Sequence, residues 1–350
     1  MAANSRISAT VDFDKSGKQI GHLAAPISTN ASAYGTVTIP IVVLKNGKGP
    51  TMFFTGGVHG DEYEGPVALM KIARRLRAAQ IEGRVIIVPC LNLPAVLAGD
   101  RVSPIDGLNL NRIFPGDRNG SITQVIAHYV STVLLPMTNI QVDIHSGGKT
   151  LEYIPTVAFK ESRDKRRATM AFEAMKAFGA PIGLINQDLD ETGLLENTVE
   201  QMGLLNVSTE MGGAGVVSKR NVEIAETGVM NLLKHFGLIE GKIVRPEDRG
   251  RPPTRVMKIK DLDCYVMSPD DGLYEPFLEL GEEIKAGRPI GQVHYPHNLD
   301  KKPWVTRAKA SGMLLCKRPP GKVQRGDNVA IIAQDLEPAR ERSARGRKRA

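Results

Sequence analysis

Residues 56–66 read "GGVHGDEYEGP" and set His59, Asp61, Glu62 and Glu64 within six positions, among glycines. Imidazole and carboxylate are the side chains that hold divalent ions and move protons. His59 and Glu62 have two residues between them, so both can reach one ion from a single turn. Glycines at 56, 57 and 60 allow the backbone to turn that tightly. A catalytic zinc takes three protein ligands and keeps a position for water, so a third ligand must come from elsewhere. His145 is the best candidate, because it closes the apolar stretch "QVDIH" and glycines follow it. Asp143 lies two residues earlier, on the same face of a strand, where it would orient the ring of a ligand.

These residues need a frame that brings them together. "TVTIPIVVLK" (apolar part 37–45), "TMFFT" (51–55), "RVIIVP" (84–89), "QVDIH" (141–145) and "LLNVSTE" (204–210) read as strands. Leu69, Ile72, Ala73 and Leu76 recur at helical spacing after Pro66, a residue favoured at a helix start. Segments 121–135, 163–178, 193–202 and 222–236 also read as helices. Strands alternating with helices predict an α/β sandwich with a largely buried sheet. Ligands at the carboxyl ends of its strands would then lie in the usual crevice of an open sheet. Glu64 stands at the entry to the helix near Pro66, where a carboxylate favours the positive dipole end. Asp61 points away from the ion or supports from behind.

The composition changes near "RPEDRGRPP" (245–253), a charged linker rich in Pro and Gly. The expected division is a catalytic domain over 1–245 with an N-terminal extension over 1–35, a C-terminal β module over 246–336, and a basic tail over 337–350. Within the module, "SPDDGLYEPFLELGEEIKAGRPIGQV" (268–293) and "ASGMLLCKRPPGKVQRGDNVAIIA" (310–333) form a weak half-repeat. The half-repeat resembles the flattened β-barrel of biotinyl and lipoyl carriers. The lysine motif of those carriers is missing, so the module reads as structural.

The bulk numbers exclude several classes. The chain has 350 residues, 41% hydrophobic and 24% charged, which is ordinary globular composition. The net charge of +8 points toward nucleic acid, but residues 339–350 hold six Arg or Lys and one Glu. Most of the excess is therefore a solubilising tail, and neither a nucleic-acid nor a membrane partner is expected. Cys90, Cys264 and Cys316 are odd in number and unpatterned, which fits a reducing compartment. The N-terminus lacks the apolar core of a signal peptide, and no stretch matches a membrane span. The expected location is cytoplasmic.

Three more stretches extend the pattern: "VPCLNLPAV" (88–96), "GLNLNRIFPG" (107–116) and "STEMGGAG" (208–215). With His-x-x-Glu and the distant His145, they run in order over residues 50–220. Together they resemble the succinylglutamate desuccinylase/aspartoacylase branch of the zinc carboxypeptidase superfamily. The resemblance implies an α/β/α sandwich with a mixed central sheet, and one Zn2+ per chain held by His59, Glu62 and His145. It implies Glu210 as general base, Asn111 and Arg112 as holders of a substrate carboxylate, and Arg101 as the residue that polarises the scissile carbonyl. The spacing from Arg101 to Asn111 is longer than in the aspartoacylases. The implied activity is hydrolysis of the amide of a small N-acyl amino acid; the sequence does not fix the assembly, for which a homodimer is one option.

"GGVHGDEYEGPVAL", "SPIDGLNLNR" and "STEMGGAG" look most like the deacetylases of ectoine breakdown within that branch, which act on Nα-acetyl-L-2,4-diaminobutyrate. The ammonium of such a substrate wants an acidic partner, and "NQDLDET" (186–192) offers Asp188, Asp190 and Glu191. Three alternatives stand beside this reading. They are a deacylase of succinylglutamate- or acetylaspartate-like substrates, a metallocarboxypeptidase, and a metal-free binding module. His294 and His297 in "HYPH" lie in the β module without a carboxylate cluster and read as loop residues, and Asp106 in "SPIDG" reads as a turn cap.

Overall fold

Consecutive apolar residues suit a strand buried on both faces, and the chain places such strands at the centre of its sheet. The computed structural model describes residues 5–30, 32–160, 164–186 and 192–336. Asp188, Asp190, Glu191 and the basic tail lie outside the described residues. The first half contains β1 (Ser8–Ala9), β2 (Gly17–Thr29), β3 (Ser32–Asn46), β4 (Thr51–Gly56), β5 (Gly83–Val88) and β6 (Ile140–His145). Its helices are α1 (Glu64–Arg75), α2 (Leu93–Ala98) and α3 (Ile122–Tyr129). Next come β7 (Glu152–Tyr153), β8 (Thr156–Lys160), α4 (Lys165–Phe178), β9 (Ile182–Asn186), α5 (Leu195–Gln201), β10 (Leu205–Glu210) and α6 (Lys219–His235).

The C-terminal strands are β11 (Arg255–Lys258), β12 (Tyr265–Met267), β13 (Gly272–Pro276), β14 (Glu283–Ile284), β15 (Pro289–His294), β16 (Trp304–Arg307), β17 (Gly312–Lys317), β18 (Lys322–Val323) and β19 (Asn328–Asp335). One large mixed sheet runs β1-β2-β3-β5-β4-β6-β10-β8-β9-β11-β19-β17-β14, and a separate antiparallel sheet runs β16-β15-β13-β18. This is the expected mixed α/β architecture with a smaller C-terminal β part. The two sets of strands are joined, because β11 pairs in parallel with β9 and antiparallel with β19.

Side chains of β4 alternate between the two cores. Met52 and Phe54 pack with Leu69 and Ile72 of α1 and Leu232 of α6, while Phe53 packs with Val125 and Ile126 of α3. This alternation is the sandwich seen from one strand. Three details differ from the sequence reading. Residues 17–29, read as extension, form a long strand paired with β3. Its burial alternates only weakly and Gly17, Gly21 and Pro26 interrupt the pattern. The segment 121–135 is α-helical only to Tyr129, then continues as a π turn over Val130–Leu134 and a 3-10 turn over Leu135–Met137. Pro136 falls within that last turn, where it cannot donate a helical bond. Strands β8 and β9, absent from the sequence reading, follow Pro155 and Pro181 and are only five residues long.

Candidate active site

Strands β4, β6 and β10 lie side by side and parallel. In register, Gly56 faces Ile144 and Glu210 faces His145, so all three strands end on one line. Beyond Gly56 the chain must turn at once. Gly57 has φ +62°, and a Cβ on Gly60 would lie 2.0 Å from the Ala95 carbonyl. Only glycine permits that approach. The turn brings His59 and Glu62 against His145 at the end of β6.

His59 Nδ1 lies 2.7 Å from Glu62 Oε1, and His145 Nδ1 lies 2.8 Å from Glu62 Oε2. All three side chains are buried, and one ligand atom from each lies within 4.8 Å of the others. The outer nitrogens are also occupied. His145 Nε2 is 2.8 Å from Asp143 Oδ2, and His59 Nε2 is 3.1 Å from Asn109 Oδ1. Asn109 Oδ1 also accepts the Asn111 N–H, which fixes it as an acceptor. With Nε2 of each ring donating outward, Nδ1 is the nitrogen left to turn a lone pair toward an ion when one is bound.

That arrangement asks for a cation. Lone pairs and carboxylate oxygens converge without enough protons unless both rings are charged. Burial pulls the His59 ring below its ordinary value, against the attraction of Glu62. Burial also opposes charge on His145, but Asp143 and Glu62 outweigh it and raise that ring well above the usual range. Burial opposes ionisation of Glu62 too, yet the two rings hold its carboxyl far below the normal range. Two imidazoles and a carboxylate with both outer nitrogens anchored are a fitting donor set for a divalent ion. Asp143 is fixed in turn by the Thr55 hydroxyl, which donates to Oδ1 at 2.7 Å. Asp143→Asn is expected to weaken metal affinity by about 10–100-fold. Competition with a chromogenic chelator measures it, and unchanged affinity would remove Asp143 from any part in ion binding.

Glu210 ends β10 with its Oε2 buried and without a hydrogen-bond partner. Burial, and then the Glu62 carboxylate, push its carboxyl up to about 8. A carboxyl oxygen buried beside a possible ion site, on a group whose basicity is shifted this far, marks a candidate for proton transfer. Arg101 reaches the same cluster, with Nη1 3.4 Å from Glu62 Oε1.

Asn111 and Arg112 stand on a 3-10 turn over Leu110–Arg112, capped by the Asn109 side chain. Asn111 Oδ1 accepts the N–H of Leu195, the first residue of α5, at 2.8 Å. Gly193, at φ +74°, packs so closely on Arg112 that a Cβ would lie 2.0 Å from its carbonyl oxygen. His59, Glu62, Asp143, His145, Glu210, Arg101, Asn111 and Arg112 all line one cavity of about 460 Å3. A cavity of this size suits a small-molecule substrate.

The structure also places the residues set aside by the sequence. Asp61 Oδ2 accepts the Lys149 N–H at 2.8 Å, so it ties down the loop after His145. Glu64 is the first residue of α1, is buried, and burial pushes it up to about 7. Asp106 accepts from the Leu108 and Thr123 N–H groups and from the Ser121 and Thr123 hydroxyls. His294 is bonded to Glu275 at 2.7 Å on the surface, and among the described residues only His59, Glu62 and His145 form a metal-type group. Sequence reasoning missed Asn109, although it lies inside the quoted "GLNLNR". It also missed Tyr153, Glu196, Ile259, Tyr265 and Ile331, which line the cavity. No local motif marks them. Pairing of the C-terminal strands brings most of them in.

The chain is similar to several known proteins. The family model for the succinylglutamate desuccinylase/aspartoacylase catalytic domain matches residues 48–236. The chain is 45% identical over 333 residues to the N-alpha-acetyl-L-2,4-diaminobutyric acid deacetylase of Halomonas elongata, covering 95% of this chain and 96% of that one. A succinylglutamate desuccinylase/aspartoacylase structure from Rhodobacter sphaeroides superposes with TM-score 0.91 at 40% identity, covering 95% of this chain and all of that one. The product-bound ectoine utilization protein EutE (DoeB) of Ruegeria pomeroyi superposes with TM-score 0.90 at 41% identity, covering 94% and 99%. The chain thus belongs to the succinylglutamate desuccinylase/aspartoacylase family and is one of its amide-hydrolysing deacylases.

Proposed function

We propose that the protein is a zinc-dependent deacetylase that converts Nα-acetyl-L-2,4-diaminobutyrate to L-2,4-diaminobutyrate and acetate. The reaction class rests on one observation: two anchored imidazoles, Glu62 and Glu210, whose Oε2 is buried and unpartnered, line the same substrate-sized cavity. The choice of substrate is supported by the likeness to the Halomonas elongata deacetylase over nearly the whole chain.

His59, Glu62 and His145 would hold the zinc, which when bound supplies Lewis acidity toward water and the acyl carbonyl. Glu210 accepts a proton from the attacking water and returns it to the departing amine. The carbon–oxygen bond forms as the amide C–N bond breaks, so one water is consumed per turnover. Arg101 donates toward the carbonyl oxygen as negative charge grows there. Arg112 offers a planar fork to the substrate carboxylate, and the amide N–H groups of Asn111 add to it. Asp143 and Asn109 keep the imidazoles turned inward. Ile259, Tyr265 and Ile331 close the cavity from the C-terminal strands and exclude bulk water.

A release assay over acetyl, formyl and succinyl amino acids tests the proposal, with acetyl-diaminobutyrate included. The expected result is the highest kcat/KM on acetyl-diaminobutyrate, with one zinc per chain by elemental analysis. A higher kcat/KM on a succinyl amino acid or on a peptide would overturn it.

A further inference from the structure

Strand β6 is buried along its whole length, yet it sets Val142 and Ile144 on one face and Gln141, Asp143 and His145 on the other. Contact with water does not explain a polar face on such a strand. Gln141 is fully buried, and so is Thr55 on β4. A buried amide is costly unless it is hydrogen-bonded, and an apolar residue would fill the same space.

The bonds give Gln141 a purpose. Its Nε2 donates to Thr55 Oγ1 at 2.9 Å, and Thr55 Oγ1 lies 2.7 Å from Asp143 Oδ1. Asp143 Oδ2 meets His145 Nε2 at 2.8 Å. At the far end, Asn206 Nδ2 donates to Gln141 Oε1. Sheet register sets these meetings: Asn206 pairs with Gln141 across β10 and β6, and Thr55 pairs with Asp143 across β4 and β6.

The charge at one end dictates every proton along the chain. An ionised Asp143 only accepts, so the Thr55 hydroxyl must donate to it. A hydroxyl has one proton, so toward Gln141 it can only accept. Gln141 must therefore turn its amide NH2 to Thr55 and its carbonyl oxygen to Asn206. Without that amide the hydroxyl is free to swing toward the Val142 carbonyl, 3.5 Å away. Asp143 Oδ1 would then lose its donor, and the carboxylate would no longer be held in the plane that meets His145.

We infer that Gln141 and Thr55 are positioning residues for His145, acting in series through Asp143 to keep the imidazole turned with Nδ1 toward the ion. The inference rests on the ion site of the function proposed above. It also ties that site to β10, the strand that carries Asn206 and ends at Glu210.

The test is the zinc affinity of the full chain, read by competition of the metal-loaded protein with a chromogenic chelator. Wild type is compared with Thr55→Val, Thr55→Ser, Gln141→Met and the double variant Thr55→Val/Gln141→Met. Val and Met keep most of the volume and delete the polar group, whereas Ser keeps the hydroxyl. Thr55→Val is expected to weaken zinc binding about 10-fold, and Gln141→Met about 3–10-fold. Thr55→Ser should stay within about threefold of wild type. The double variant should lose no more than Thr55→Val alone, because a chain broken once has nothing further to transmit. Melting temperatures after chelation are recorded beside the affinities. Unchanged zinc affinity in Thr55→Val, whatever its melting temperature, would make the chain merely structural and overturn the inference. Equal losses in Thr55→Ser and Thr55→Val, or additive losses in the double variant, would overturn it too. Gln141→Leu takes the place of Gln141→Met if the latter does not fold. Wild type that binds no zinc would overturn the proposed ion site itself, whereas wild type and variants that bind it equally would overturn only the role of Gln141 and Thr55.

Discussion

Glu210→Gln is expected to keep one metal ion per chain and to lower kcat by about 10²–10⁴-fold. The substitution preserves shape and removes only the ability to take a proton. Glu210 is not among the three side chains whose ligand atoms converge, so the ion should be held as before. KM should change little, because the carboxylate is needed as charge moves and not to bind the resting substrate. The environment of Glu210 explains the size of the effect. Burial and the Glu62 carboxylate raise its carboxyl to about 8, so its basicity lies near neutrality, where a proton shuttle works best. Glu210→Ala should lose at least as much. Steady-state rates with elemental analysis decide the matter. A loss below tenfold would put the base elsewhere, and a loss of metal would make Glu210 a ligand.

The second large effect is at His145. His145→Ala is expected to abolish stoichiometric metal and, with it, hydrolysis. Its ring sits between two carboxylates, Glu62 at 2.8 Å and Asp143 at 2.8 Å. Removing it takes away a ligand and also strips both buried acids of a partner. The second loss should appear in the metal-free protein as lowered thermal stability, because breaking a buried ionic pair costs about 3–5 kcal/mol. Two measurements check this: metal content after dialysis, and melting temperature of wild type and variant after chelation. Full metal content in the variant would exclude His145 as a ligand. Equal melting temperatures would mean that the acids are satisfied without it.

The reasons why some of this was legible in the sequence are physical. The residues proposed to hold the ion could be read because they sit at or just beyond the ends of apolar strands, and β4, β6 and β10 end on one line. Short local patterns, a glycine turn and a strand-closing histidine, were enough to predict the meeting of His59, Glu62 and His145. Arg101, Asn111 and Arg112 carry no such local logic. They were reached through family resemblance, and the structure puts all three on the cavity wall. Glu196 and Tyr265 were not legible. One enters from the first turn of a short helix, the other from a strand whose position depends on β19. Long-range pairing of that kind leaves no spacing to read. The same holds for β2, whose half-exposed residues mimic a loop in composition but pair with β3 along its length.

The joining of the two strand sets also bears on how substrate arrives. Tyr265 and Ile331 cover the cavity, and they face each other in the β12–β19 register. Strand β19 pairs with β11, and β11 pairs with β9 over four consecutive residues of the same sheet that carries Glu210. Swinging that cover aside as a rigid lid would tear backbone bonds and orphan their donors and acceptors. Traffic must pass through the mouth instead, where the Arg101 side chain is 44% exposed and Arg112 is exposed. Both guanidiniums line the cavity, so under the proposed function the carboxylate end of the zwitterionic substrate would meet positive charge as it enters.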